Sequence, residues 1–151
     1  MFTLIRKYVK TSLMFFAIGL VLGLVILILQ VSGNSGGTAK LISVHTHLTL
    51  FGFIIMLIMA VAYWMFPRPT KDDIRYSPHL AEINYWLITC GTAIRSFAEL
   101  VSIFAPSMLL NLAVVLGALL QLASGFLFIW NIWSRIRAVG SQIREARGEK
   151  F

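Results

Sequence analysis

His45 and His47 flank a single threonine near the start of a stretch that stays apolar to Pro67, and Arg95 and Glu99 interrupt a later apolar run. A titratable side chain in hydrocarbon is costly unless it is paired, hydrogen-bonded or ligated, so such residues mark a functional site by default. Imidazole nitrogens ligate metal ions and haem iron, which makes His45 and His47 the candidate ligands. Arg95 and Glu99 are spaced i, i+4 and share a helix face, where each neutralises the other at far less cost than either alone. The pair either locks helices together or lets Arg95 meet a carboxylate of a bound group while Glu99 orients it.

The two histidines cannot serve one metal from a continuous α-helix. At about 3.6 residues per turn their directions differ by roughly 160°, so each needs its own partner. Gly52, Met56 and Tyr63 fall within roughly 20° of the direction of His45, and Gly52 leaves a gap beneath the imidazole. A flat macrocycle lying along the helix requires such a gap; close packing of a neighbouring helix uses one equally well. His79 follows Pro78, with Asp72, Asp73 and Glu82 nearby, and reads as a helix-end residue. Cys90 is the only cysteine, cannot form an internal disulfide, and reads as a small packed residue, as Met56 and Met59 read as packing.

Membrane spans must position these residues. The 151-residue chain is 58% hydrophobic and 13% charged, with a mean hydropathy of +0.83, whereas soluble domains are about 25% charged. Four stretches reach the roughly 20 apolar residues a spanning helix needs: 12–32, 41–66, 83–104 and 109–133. Gly33 to Thr38 reads as a flexible turn, Pro67 to Asp73 ends the second helix, and Ala105-Pro106-Ser107 is a tight turn before the fourth. The first span is too long for a secretory h-region and lacks a small-residue cleavage site behind it, so it is expected to be a permanent anchor.

Lysine and arginine set the orientation. Arg6, Lys7 and Lys10 precede span one, Arg68, Lys71 and Arg75 lie between spans two and three, and Arg135, Arg137, Arg144, Arg147 and Lys150 follow span four, against Lys40 alone on the other side. This bias predicts that both termini and the middle loop are cytoplasmic. The net charge of +7 therefore reads as topology, with no nucleic acid as partner, and 135–151 reads as a basic helix on the anionic leaflet. With this orientation His45, His47, Glu99 and Arg95 lie in the outer half, with Gln30 and Asn111 near the same boundary. The fold class expected is an all-α integral membrane four-helix bundle, N-in/C-in, in one domain spanning 1–151.

The run Val44-His45-Thr46 through Phe51-Gly52, followed by Ala62-Tyr63-Trp64-Met65-Phe66-Pro67-Arg68, resembles the second transmembrane helix of the haem-copper oxidase catalytic subunit. It looks most like the cbb3-type oxidases and their nitric oxide reductase relatives. In that family a His-Thr pair opens this helix near the outer face and an aromatic stretch ending in proline closes it. The resemblance implies that His45 is an axial ligand of a low-spin haem b, that Arg95 can meet a haem propionate, and that the protein sits in a bacterial inner membrane. The family's subunit has about twelve spans and further histidines for a binuclear centre. Three histidines and four spans fall short of that set, so this chain alone is not expected to reduce oxygen or nitric oxide.

A six-coordinate haem would take its second axial ligand from His47 or His45 of another copy, from Met108 at the outer end of span four, or from no protein group. A homodimer sharing ligands across a two-fold axis fits two divergent histidines; a larger respiratory complex is the other setting. The leading expectation is thus a haem protein that passes electrons or senses a gas or redox state, with His45, His47, Gly52, Arg95, Glu99 and Met108 around the cofactor. The alternatives are a pigment-free accessory subunit of a larger membrane complex, its histidines bonded to Glu99, Asn111 or Gln30, and a transition-metal site shared between protomers through His45, His47 and Glu99.

Overall fold

The computed structural model describes residues 2–34, 36–66, 77–136 and 147–148, and among these it is all-helical. Helix α1 spans Phe2–Val31. A second rod is built from α2 (Thr38–Thr46), a π-helical segment (His47–Ile55) and α3 (Met56–Met65). Helix α4 spans Pro78–Val101 and α5 spans Met108–Trp133. The expected turn at 67–73, the loop charges Arg68, Lys71 and Arg75, and the tail charges Arg137, Arg144 and Lys150 lie outside the described residues.

Local chemistry explains the boundaries. Gly33 and Gly37 both have positive φ, 74° and 76°, and turn the chain between α1 and α2 through a backbone conformation that side chains disfavour. Helix α4 starts with Ser77, whose hydroxyl accepts from the His79 N–H, and with Pro78, whose fixed φ suits a first turn. Ser107 caps α5 in the same way by accepting from the Leu110 N–H. Within the second rod, the Thr49 hydroxyl donates to the His45 carbonyl at 2.8 Å. That carbonyl is the acceptor an α-helix would reserve for the Thr49 N–H, and the competition favours the wider π turn.

Packing sorts the helices into two hairpins. On α1 the buried positions Tyr8, Ser12, Phe15, Gly19 and Ile26 form one stripe against the second rod, while Leu13, Met14, Ile18, Leu20 and Val21 are exposed, as expected of a lipid-facing surface. Helices α4 and α5 cross at Gly91 and Gly117. A Cβ on Gly91 would stand 3.0 Å from the Gly117 carbonyl oxygen, and one on Gly117 would stand 2.8 Å from that of Gly91. Small residues let the two backbones touch.

Among the described residues, three rods are long and apolar enough to cross a membrane: Thr3–Val31, Thr38–Met65 and Met108–Trp133. The fourth expected span, α4, is a 24-residue helix that carries Glu82, Arg95 and Glu99 and so lacks that apolarity. It buries Asn84, Thr92 and Ser96 and packs between the second rod and α5.

The core lies toward the end that carries the termini, and it contains more polarity than the sequence suggests. The Ser124 hydroxyl donates to Asn84 Oδ1 at 2.7 Å, Asn84 Nδ2 donates to Met59 Sδ and to the Tyr63 hydroxyl, each at 3.5 Å, and Asn131 Nδ2 donates to the Tyr63 hydroxyl at 3.3 Å. Tyr8, fully buried, donates to the Ala81 carbonyl at 3.1 Å. The expectation that embedded polarity gathers at the opposite end therefore holds for the histidines and the Arg95–Glu99 pair, but not for the buried amides and phenols. Arg135 is a second correction. Expected in an interfacial tail, it is 1% exposed, and Nη2 donates to the carbonyls of Tyr63 at 3.0 Å and Phe66 at 2.7 Å. Those carbonyls end α3, where the helix dipole favours a cation.

Candidate functional site

His45 stands in the last turn of α2, facing α1. Its Nδ1 lies 2.8 Å from the Gly19 carbonyl oxygen. A carbonyl only accepts, so in the neutral ring Nδ1 carries the proton and Nε2 keeps its lone pair. An imidazole whose far nitrogen is held by a backbone carbonyl is fixed in tautomer and ring orientation, as metal-ligating histidines are. Room for the ring comes from Gly23: a Cβ there would stand 3.0 Å from His45 Cε1 and 3.3 Å from Nδ1. Gly19 does the same for Thr49, whose Cγ2 would lie 2.7 Å from a Cβ at that position.

Gly19 and Gly23 thus form a notch on α1 that accepts one turn of the second rod. The readable signal was the run Gly19-Leu20-Val21-Leu22-Gly23, a spacing of small residues that commonly marks close helix contact in membranes. The notch lies on the neighbouring helix, so the periodicity of the histidine's own helix carries no sign of it. Gly52, expected to clear the face beneath His45, meets Phe15 instead. A Cβ on Gly52 would stand 2.8 Å from both Cβ and Cγ of Phe15, so in this chain that gap is filled by an α1 side chain. The π segment also shifts the angular phase along the rod, so directions counted at a constant α-helical step do not carry past His47.

His47 turns the other way. Its ring stacks on Phe51 with centroids 5.2 Å apart and planes 25° apart, and the charges of Arg95 and Glu99 act on it from α4. Arg95 Nε and Glu99 Oε1 stand 3.5 Å apart. Three buried polar atoms of this layer, His47 Nδ1, Arg95 Nε and Glu99 Oε2, have no hydrogen-bond partner among the described residues. Neither histidine bonds to Gln30 or Asn111, both of which are exposed. Met108 is 73% exposed at the first turn of α5.

The six candidate residues accordingly fall into three places. His45 and Gly52 face α1, His47 faces the Arg95–Glu99 pair, and Met108 stands apart on α5. Among the described residues no three His, Cys, Asp or Glu side chains gather closely enough to hold a bare metal ion. A haem supplies four equatorial nitrogens itself and asks the protein only for axial donors, so a lone, carbonyl-oriented imidazole fits haem iron better than it fits a free ion.

The chain matches the family Cytochrome C and Quinol oxidase polypeptide I over residues 3–147. No curated protein and no solved structure matches it.

Proposed function

From the membership of this chain in the cytochrome c and quinol oxidase polypeptide I family, we propose that it binds one haem b within the membrane through Nε2 of His45 and uses it to pass electrons or to sense a gas or redox state. The observation that carries this reading is the bond from His45 Nδ1 to the Gly19 carbonyl, which in the neutral ring keeps the lone pair on Nε2. The haem, when bound, supplies a one-electron couple whose potential its axial ligands tune. The protein's part is to hold the imidazole in one tautomer, to keep Gly23 clear of the ring, and to surround the iron with hydrocarbon. Arg95 offers a guanidinium for an acidic substituent of the macrocycle, and Glu99 holds that guanidinium in place.

A second donor to the haem would come from His47 or His45 of another copy in a homodimer, from a residue of a larger respiratory complex, or from no protein group. Met108 of the same chain is the remaining candidate. The protein is multi-pass; its family supports a bacterial inner membrane, and the lysine and arginine distribution supports both termini in the cytoplasm.

Absorption spectra of the full chain, purified from haem-replete cells, test the reading. The expected result is a Soret band with sharp reduced α and β bands, abolished in His45→Ala. A colourless preparation that copurifies with partner subunits means an accessory role, and a colourless one with stoichiometric zinc, copper or iron means a metal site shared between protomers through His45, His47 and Glu99.

A further inference from the structure

At the end opposite the termini an open groove of about 460 Å³ lies between α2, α4 and α5. It is lined by the polar residues Lys40, Ser43, Glu99 and Asn111 and by the apolar Val114 and Val115. Each of these polar residues sits within about two turns of a helix end, the depth of a lipid headgroup if the rods cross a bilayer. The valines, one turn further along α5, stand where an acyl chain begins.

The polar lining has one group of each charge. Lys40 Nζ donates to the carbonyl of Ser102 at 2.9 Å and to its hydroxyl at 3.0 Å, which leaves a third N–H of the ammonium uncommitted. Glu99 uses Oε1 toward Arg95, while Oε2 is buried without a hydrogen bond. Such an orphan carboxylate oxygen near hydrocarbon is expensive. Asn111 adds an exposed amide. A ligand matching this lining needs a hydrogen-bonding cation for Glu99, an anion for Lys40 and Asn111, and an apolar tail for the valines.

We propose that the groove is a site for an aminophospholipid with a primary ammonium, its phosphate on Lys40 and Asn111 and its ammonium on Glu99. An anionic headgroup would satisfy Lys40 but face the carboxylate. A quaternary ammonium has the charge but no N–H to give. The site does not use His45 but shares Glu99 with the proposed haem pocket, so Asn111, which touches only the groove, is the position that separates the two readings.

Native mass spectrometry of the delipidated full chain, titrated with phosphatidylethanolamine, phosphatidylcholine and phosphatidylglycerol of identical acyl chains, tests it. Phosphatidylethanolamine should be retained about tenfold more than either other lipid, the factor expected of one charge-assisted hydrogen bond. Glu99→Gln should remove the preference over phosphatidylcholine. Asn111→Leu, on an exposed position away from the Arg95 pair, should weaken retention of phosphatidylethanolamine without need of the ion pair's integrity. Equal retention of the three lipids by the unmodified protein, undiminished retention of phosphatidylethanolamine in Asn111→Leu, or an unchanged preference over phosphatidylcholine in folded Glu99→Gln, overturns the proposal.

Discussion

The two ends of the bundle differ in which buried polar groups are bonded, although Ser134 Oγ at the first end also lacks a hydrogen bond among the described residues. At the end carrying the termini, Asn84, Asn131, Ser124 and Tyr63 bond to one another, and Arg135 caps the end of α3. At the other end, His47, Arg95 and Glu99 each leave a buried polar atom without a hydrogen bond. A satisfied network rigidifies a fold, whereas unsatisfied polar atoms in hydrocarbon are retained at a loss of stability. The first end therefore ties helices together through side-chain bonds, and the second keeps its titratable side chains less fully bonded. His45 belongs with the second end by position but with the first by bonding, since its Nδ1 is already held.

Breaking the satisfied end should have the largest effect on stability and none on colour. Arg135→Met leaves the Tyr63 and Phe66 carbonyls without their shared donor and should lower stability by about 3 kcal/mol, measured by denaturation in detergent micelles and followed by circular dichroism. Its Soret band should be unchanged; loss of colour would link the two ends. Gly52→Ala sharpens the comparison on the face of the second rod. A methyl against the Phe15 ring should destabilise by about 1–3 kcal/mol through overpacking, with the spectrum intact, while a colourless but stable variant would return a macrocycle to that face. The smallest effect belongs to the unsatisfied end. His47→Phe keeps the stack on Phe51 and removes an orphan nitrogen, so stability should stay within about 1 kcal/mol of the parent or rise; loss of haem in this variant would make His47 a ligand.

The spans were legible because hydropathy is a sum over neighbours in sequence. The expected 41–66 and 109–133 became Thr38–Met65 and Met108–Trp133, and Ala105-Pro106-Ser107 lies in the turn between α4 and α5. The divergence of His45 and His47 was also legible, since two residues on a helix cannot share a direction. The π segment was not, because it arises from a side-chain hydroxyl competing for one carbonyl. Arg135 was counted as a topology charge because its burial depends on carbonyls at Tyr63 and Phe66, about seventy residues back along the chain.

The amino-acid sequence by itself determined an all-helical membrane protein with a histidine poised in one of its spans, because apolar length and local direction need no tertiary information. Tertiary structure alone decided what those side chains meet. It set Gly23 behind His45 and Phe15 over Gly52, and it turned Arg135 from a surface charge into a helix cap. A residue's periodicity specifies the face it occupies, but the energy of that face depends on the helix packed against it.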